Sequence, residues 1–436
     1  MKNKKIVKKL FAGVMAFSLC LGACLGTSGV AVAAPEDNVR VSLTKELKVA
    51  SGIQTPDATF TFKFEQSKTG QYTGAGDAKF DVATDDASIN DVNLKFAQGE
   101  DNASGKIVKE STNIFADGKY NFPHAGVYKF IVSEVAGTEK VDNGNGEGTM
   151  TYDANRYIMF VSVKNDGNGG LTVDNVIVQP EDPENPGEPA GAKKDATPGK
   201  DENGNEIPEE PSTEDGDDTN LVGTGNDFRF VNTFTKTTGG EDPDPVVPDE
   251  PDDPSTSALI VQKNVVGESA NLTQMFNFHI TLTVPETATE AEKTINAYTV
   301  DKDGVVVRND ITITSGVKYD FTLAHNEYLG FKSLPAGTTY VVEEDGSENY
   351  TGSVITTTNQ VADPEVKADK EANLVANKAV VGEKVGENNA IVTNTHDDAS
   401  TTPTGIIVNN LPYVALILVA IIGCVVVVAS RKRRMS

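Results

Sequence analysis

Two lysines lie on strand faces that are otherwise apolar. Lys45 shares the period-two face that starts at Val41, and Lys263 shares the corresponding face that starts at Leu259. If these faces form a core, each ammonium group is buried, so its pKa falls or it gains a partner, because an unpaired buried charge is very costly. Periodicity alone leaves open the alternative that both lysines lie at strand edges with their charged ends in water.

A glutamate and an asparagine accompany each lysine in the same way. Both residue types occur at alternate positions among the apolar residues of later predicted strands, where parity selects Glu134 and Asn232 in the first half and Glu344 and Asn394 in the second. Each half of the chain therefore offers Lys, Glu and Asn, in that order, on faces directed toward a core.

This trio of residue types can form a covalent bond. A neutral lysine amine in an apolar core can attack the carboxamide carbon of asparagine, while a glutamic acid kept protonated by the same low dielectric polarises the carbonyl and carries protons as ammonia leaves. The product is a neutral amide in place of a buried charge. Two neighbours, Lys48 and Glu343, are rivals for Lys45 and Glu344, but strand parity disfavours both.

The elements that must position these residues are strands. Period-two patterns between clusters of Gly, Asn and Asp recur in the same order in both halves, and the turn at 122–126 is matched by the turn at 334–337. We predict an all-β fold of two tandem immunoglobulin-like β-sandwich domains, at 34–236 and 258–398. A proline-rich acidic linker is predicted at 237–257, and a long proline-rich exposed loop at 179–226.

Both ends of the chain have the composition of targeting segments. Residues 1–33 combine five early lysines, an apolar run and small residues before the expected cut after Ala33, which predicts a secretory signal peptide. Lipoprotein processing at Cys24 is the alternative. Residues 399–436 contain Thr-Thr-Pro-Thr-Gly at 401–405, an apolar transmembrane run at 411–430 and a basic tail at 431–434, which is the order of a sortase sorting signal. A plain single-pass membrane protein is the alternative there.

The net charge of the chain limits the partners it can bind, and the positions of its cysteines limit the disulfides it can form. The chain carries 64 Asp and Glu against 38 Lys and Arg, for a formal net charge of −26, which argues against nucleic acid and anionic lipid as partners. Its three cysteines, Cys20, Cys24 and Cys424, lie in segments that processing would remove. The mature protein is therefore predicted to lack disulfides, the usual covalent support of exported proteins.

Short strings around the trios resemble a known family. They are Leu43-Thr44-Lys45, Gly126-Val127-Tyr128 through Ser133-Glu134, Phe230-Val231-Asn232-Thr233, Leu259 through Lys263, and Val392-Thr393-Asn394-Thr395. In order and duplication they resemble the sortase-assembled major pilin subunits of the streptococcal T-antigen type. The resemblance implies an autocatalytic Lys-Asn isopeptide bond, assisted by Glu, in each domain. It assigns Lys45, Glu134 and Asn232 to the first, and Lys263, Glu344 and Asn394 to the second.

The resemblance also implies how subunits are joined. In that family a pilus sortase links the C-terminal Thr of one subunit to a lysine of the next, which places the cut here between Thr404 and Gly405. The position that corresponds to the family's acceptor, near Gly225, has no lysine. Lys193, Lys194 and Lys200, on the predicted loop 179–226, are the candidate acceptors.

These observations predict a structural subunit of a covalently polymerised pilus on a Gram-positive cell wall, secreted and held transiently in the membrane. Its expected partners are a pilus-type sortase, other copies of itself, peptidoglycan or a wall-anchored base subunit, and a possible host-surface ligand. We expect no enzyme activity beyond autocatalytic bond formation, no cofactor and no metal, since no acidic loop has full calcium-site spacing. The alternative is a monomeric wall-anchored adhesin that binds a host ligand.

Overall fold

A computed structural model describes residues 39–74, 78–102, 104–116, 118–198, 226–239 and 248–397. These residues form strands throughout, with no α-helix among them and two short 3-10 turns, at Pro254–Thr256 and Ala291–Lys293. The all-β prediction is therefore confirmed. In this part of the chain, no helix has the length and apolar character needed to span a membrane. The predicted signal peptide and sorting signal lie outside the described residues.

The first half forms two five-stranded sheets around one core, which we call the N-terminal sandwich. One sheet has the order β10-β11-β14-β1-β7 and the other β13-β12-β9-β2-β6. The strands are β1 (Thr44–Val49), β2 (Ala58–Ser67), β3 (Gln71–Thr73), β4 (Lys79–Asp81), β5 (Ser88–Ile89), β6 (Val92–Phe96), β7 (Lys106–Glu110), β8 (Tyr120–Asn121), β9 (Gly126–Glu134), β10 (Lys140–Asp142), β11 (Glu147–Thr151), β12 (Arg156–Asn165), β13 (Leu171–Pro180), β14 (Arg229–Thr235) and β15 (Thr237–Gly239).

The second half repeats this layout as the C-terminal sandwich. Its larger sheet has the order β19-β18-β21-β16-β29-β24-β25, with β26 on β24, and its smaller sheet the order β20-β17-β23-β27, with β28 on β23. The strands are β16 (Leu259–Val266), β17 (Phe276–Thr283), β18 (Thr294–Val300), β19 (Val306–Thr314), β20 (Lys318–Leu323), β21 (Tyr328–Phe331), β22 (Ser333–Pro335), β23 (Thr339–Glu344), β24 (Tyr350–Thr358), β25 (Val361–Ala362), β26 (Val366–Lys367), β27 (Leu374–Val375), β28 (Ala379–Val380) and β29 (Asn389–His396).

In each sandwich the first strand pairs in parallel with the last. β1 pairs with β14, and Leu47 lies opposite Asn232. β16 pairs with β29, and Val265 lies opposite Asn394. Each lysine of the predicted trios is therefore two residues before the partner of the asparagine, so both side chains point to the same face of their sheet. The facing sheets present β9 and β23, which end at the two predicted glutamates.

The segment predicted as a linker, 237–257, contacts the C-terminal sandwich near both of its ends. β15 pairs with β22, and Asp252 accepts hydrogen bonds from the hydroxyls of Tyr298 and Tyr328 and lies 2.6 Å from Nζ of Lys332. The acidic composition suggested a solvated spacer, but this aspartate is a buried hydrogen-bond acceptor. Residues 240–247 between these contacts lie outside the described part.

The first part of the predicted loop 179–226 lies against the N-terminal sandwich. The N–H of Lys194 donates to the carbonyl of Val178. The carbonyl of Asp195 accepts from Phe228, just before β14, and that of Ala196 accepts from Ser42, just before β1. This part of the loop is therefore attached where the parallel pair of strands begins.

Candidate functional site

The N-terminal trio meets in the core of its sandwich. Nζ of Lys45 lies 2.7 Å from Oε2 of Glu134, and Nδ2 of Asn232 donates to Oε1 of the same carboxyl group at 2.6 Å. The side chains of Lys45 and Glu134 are both 0% exposed, and Asn232 is also fully buried. The glutamate thus contacts the amine and the nitrogen of the carboxamide, whereas the sequence-based expectation was that it polarises the carbonyl oxygen.

The C-terminal trio has the same composition and nearly the same geometry. Nζ of Lys263 lies 2.7 Å from Oε1 of Glu344, and Nδ2 of Asn394 donates to that same oxygen at 2.9 Å. All three residues are buried. The structure therefore brings together all six residues of the two predicted trios, three in each core.

Aromatic rings exclude water from both amines. Nζ of Lys45 lies 4.7 Å from the ring centre of Phe60, and Nζ of Lys263 lies 4.3 Å from that of Phe276. Both rings belong to the facing sheets, on strands that begin with the period-two phenylalanine pattern. Each amine is therefore enclosed by apolar surface except where its glutamate approaches, so the snorkelling alternative is wrong.

Burial brings the pKa of each lysine and that of its glutamate closer together. Loss of hydration lowers the pKa of Lys45 to about 8 and that of Lys263 to about 8, although the neighbouring carboxylate opposes the shift in both cases. Loss of hydration also raises the pKa of Glu134 and of Glu344, against the pull of the lysines. Both directions favour the neutral pair, amine and carboxylic acid, which is the form that nucleophilic attack requires.

The two rivals considered in the sequence lie on the surface side of their strands. Lys48 is exposed on β1. Glu343 forms a surface ion pair with Lys318 at 2.7 Å, with 30% of its side chain exposed. Strand parity therefore separated these residues correctly from Lys45 and Glu344.

Of the predicted polymerisation residues, only Lys193 and Lys194 fall within the described part of the chain. Both are exposed. Lys200, Thr404 and Gly405 lie outside the described residues.

One contact at the N-terminal trio was not predicted. The backbone N–H of Asp153, in the turn between β11 and β12, donates to Oδ1 of Asn232 at 2.8 Å. The carboxylate of Asp153 in turn accepts from the N–H of Val231 at 2.6 Å, which holds this turn against β14. A backbone donor has no signature in residue type, so sequence reasoning could not have found it.

A third group of Lys, Glu and Asn lies between the two sandwiches. Lys236 follows β14, Asn143 lies in the turn after β10, and Glu383 comes from the C-terminal sandwich. Nζ of Lys236 is 3.0 Å from Oε2 of Glu383 and 3.1 Å from Oδ1 of Asn143, and Nδ2 of Asn143 donates to Glu383 at 2.7 Å. No sequence pattern indicated this group, because it depends on how the two halves pack.

The surroundings of this third group differ from those of the trios. Besides Glu383 and Asn143, the amine of Lys236 donates to the carbonyls of Asn145 and Gly146. Four oxygen acceptors stabilise an ammonium ion, which has no lone pair with which to attack. We therefore interpret this group as an ionic contact between the sandwiches rather than a reactive site.

Comparisons with known proteins support the pilin resemblance. Residues 41–188 match the family described as a Spy0128-like isopeptide containing domain (FctA), and residues 257–379 match a domain of unknown function (DUF7601). The chain is 25% identical over 390 residues to a curated "Pilin" of Streptococcus pyogenes serotype M1, which covers 89% of both chains. The first match includes Lys45 and Glu134, and the second includes Lys263 and Glu344.

Solved structures of streptococcal pilus proteins are also among those that the chain resembles, at lower identity. A crystal structure of the major pilin from Streptococcus pyogenes is 18% identical, with 83% of this chain and 98% of that chain covered and a TM-score of 0.28. A pilus-presented adhesin is 10% identical, with 81% of this chain and 99% of that chain covered and a TM-score of 0.21. The resemblance to streptococcal pilins identified in the sequence is confirmed by the family and curated matches.

Proposed function

We propose that this protein is a structural subunit of a covalently polymerised, wall-anchored pilus, built from two immunoglobulin-like domains that each close an internal Lys-Asn isopeptide bond. The observation that carries the proposal is the duplicated trio, in which a buried glutamate holds a lysine of the first strand and an asparagine of the last. Similarity to pilins alone would not require this arrangement in both cores, with the lysine two residues before the strand partner of the asparagine each time.

The bond has a mechanical meaning because of the strands that it joins. β1 and β14 are parallel neighbours, as are β16 and β29. An amide between Lys45 and Asn232, or between Lys263 and Asn394, would tie the beginning of each domain to its end. Shear between these two strands would then load a covalent bond. Without that bond, only the ladder of hydrogen bonds between the strands would resist the shear.

The direction of the strands supports head-to-tail assembly. The ends of β1 and β14 face the C-terminal sandwich. The carbonyl of Gly52 accepts a hydrogen bond from the N–H of Glu383, and the carbonyl of Lys236 accepts one from the N–H of Ala336. β16 and β29 begin at this boundary, since Asn388 donates to the carbonyls of Ala258 and Gly382. The two parallel pairs therefore follow one another along the chain, from the far end of one sandwich to the far end of the other.

The two described acceptor candidates and the end of the last strand lie toward opposite ends of this path. Lys193 and Lys194 precede Asp195, whose carbonyl is bound where β14 begins. β29 ends at His396, only a few residues before Thr404 in the sequence. A sortase that joins Thr404 of one subunit to one of the lysines Lys193, Lys194 or Lys200 of the next would thus extend a fibre in the direction in which the two sandwiches follow one another.

Co-expression with a pilus-type sortase tests polymerisation. The full chain should give a ladder of species that survive boiling in detergent, and Thr404→Ala should abolish it. Replacing Lys193, Lys194 and Lys200 together by arginine should also abolish the ladder while leaving the monomer secreted, because arginine keeps the charge but is not a sortase nucleophile. A monomer without a ladder in the unchanged chain would favour the alternative, a monomeric wall-anchored adhesin.

A further inference from the structure

The two trios differ in what binds the oxygen of the reacting carboxamide. In the N-terminal trio, Oδ1 of Asn232 accepts the N–H of Asp153 at 2.8 Å. In the C-terminal trio, Oδ1 of Asn394 is buried and has no hydrogen-bond partner among the described residues. The nearest neighbours of that carboxamide include Gly352, which faces Asn394 across the β24–β29 pair and has no side chain.

The Asp153 contact fixes the orientation of the Asn232 carboxamide. A backbone N–H can donate only to the oxygen of a carboxamide, because the nitrogen carries hydrogens of its own. Nδ2 must therefore face Glu134, to which it donates at 2.6 Å. The leaving nitrogen lies against the acid that protonates it, and the oxygen lies against a fixed donor on the other side.

Attack by the amine creates negative charge at this oxygen. The lone pair of Nζ of Lys45 forms a bond to Cγ of Asn232, and the π electrons of the carbonyl move to Oδ1. One proton passes from Nζ to Glu134 and one from Glu134 to Nδ2. The Cγ–Nδ2 bond then breaks, the carbonyl re-forms, and ammonia leaves. Fixed donors aimed at such an oxyanion stabilise the transition state more than the reactant.

Resting on the proposed isopeptide function, we propose that the backbone N–H of Asp153 is a catalytic oxyanion donor for the first bond, and that the second bond forms more slowly because no described protein donor binds Oδ1 of Asn394. Other features of the two sites are closely matched. Lysine-to-glutamate distances are 2.7 Å in both, and each amine faces the ring of a phenylalanine. Two differences remain: the oxygen donor, and the glutamate contacts, since Lys45 and Asn232 use separate oxygens of Glu134 whereas Lys263 and Asn394 share one oxygen of Glu344.

The Asp153 side chain positions this donor. Oδ2 accepts from Val231, the residue before Asn232, and Oδ1 accepts from the N–H of Asn155 within the same turn. The turn between β11 and β12 is thus fixed to the strand that carries the electrophile. Asp153→Pro removes the N–H, whereas Asp153→Asn keeps the N–H and a side chain of the same shape, so the second variant is a matched control.

Timed cell-free synthesis of the full chain tests the proposal. Samples are quenched at intervals, and the cross-linked fraction at each site is read from the masses of the tryptic peptides that contain Asn232 and Asn394. Loss of one oxyanion donor costs about 10²-fold to 10³-fold in rate in other enzymes. We expect the first bond to form about 10²-fold more slowly in Asp153→Pro than in Asp153→Asn, with the second bond unchanged in both.

The outcomes separate this proposal from the proposed function. Equal first-bond rates in Asp153→Pro and Asp153→Asn would overturn the oxyanion role. If Asp153→Pro does not fold, the unchanged chain decides: timed from the appearance of each protease-resistant sandwich, the first bond should form at least about 10-fold faster than the second. Equal rates or a faster second bond would overturn it. Absence of both bonds from the unchanged chain would instead contradict the proposed function.

Discussion

Nζ of Lys236 lies 3.0 Å from Oε2 of Glu383, across the boundary between the two sandwiches. The lysine side chain is 6% exposed and the glutamate 1%. Asn145 and the backbone N–H of Gln54 donate to the second oxygen of the same carboxylate. A buried ion pair with its remaining hydrogen bonds made is a strong positional constraint, so this contact fixes how the halves meet.

Removing Lys236 should therefore loosen the joint without changing the covalent state. In Lys236→Met the carboxylate of Glu383 stays buried without its counter-ion, which costs about 3 kcal/mol for a pair of this kind. Hydrogen exchange should accelerate at the amides of the β15–β22 pair. Lys106→Met is the matched control, because Lys106 pairs with Glu46 at 3.9 Å with 40% of its side chain exposed. Equal exchange in the two variants would show that the contact does not hold the joint.

Each isopeptide bond should stabilise its sandwich chiefly by restricting the unfolded chain. The proposed bonds would close loops of roughly 190 and 130 residues, for which the chain-entropy relation used for disulfides gives about 5 kcal/mol each. Glu344→Gln should leave the core volume nearly unchanged but prevent the second bond. The melting temperature of the C-terminal sandwich should therefore fall substantially.

The control for that prediction is the adjacent Glu343→Gln. Its side chain lies at the surface with Lys318, so the melting temperature should change little. If Glu344→Gln lacks the bond by mass and still melts like Glu343→Gln, the stabilising role is wrong.

A chain that cannot form the first bond should gain stability in alkaline solution. In Asn232→Ala the amine of Lys45 stays free, and its pKa is lowered by burial from 10.5 to about 8. Between these values the unfolded chain binds more protons than the folded one, so the free energy of unfolding rises with pH, by at most about 1.4 kcal/mol per unit. The gain is complete above the unfolded pKa.

Urea unfolding of the N-terminal sandwich from pH 7.5 to 10.5 measures this. The unchanged chain is the control, because in the proposed bond its Lys45 nitrogen is an amide that does not titrate in this range. If the free energy of unfolding changes with pH in the same way in both proteins, Lys45 is not a buried amine in Asn232→Ala.

Under tension the two bonds should have different roles if the acceptor is Lys193, Lys194 or Lys200. Force that enters at Lys194 and leaves at Thr404 passes through Lys263 and Asn394, whereas Lys45 lies off the path. Loss of the second bond should add roughly 430 to 470 Å of extended chain, at ~3.3 to 3.6 Å per residue.

Single-molecule stretching between position 194 and the C-terminal end compares the two bonds directly. Glu344→Ala should show the added length when the C-terminal sandwich unfolds, and Glu134→Ala should add little. Equal added length in both variants would contradict the load path.

Strand periodicity selected the residues of the trios, and the family resemblance was needed to assign them to a bond; neither indicated their surroundings. The alternation in β1 selected Lys45 over Lys48, and that in β23 selected Glu344 over Glu343, because a period of two is a local property of the chain. The role of Asp153 depends on a backbone atom, and that of Glu383 on packing between distant segments, so neither leaves a local pattern. The acidic segment 237–257 was predicted as solvated, although Asp252 is bound by two tyrosines and a lysine.

The most direct test of the account is the intact mass of the purified ectodomain, residues 34–398, made without any sortase. The duplicated trios predict a mass below the sequence mass by two molecules of ammonia. Glu134→Ala should restore one of them, Glu344→Ala the other, and the double variant both, whereas Lys236→Met should still lose two. A mass equal to that of the sequence in the unchanged ectodomain would contradict the central claim.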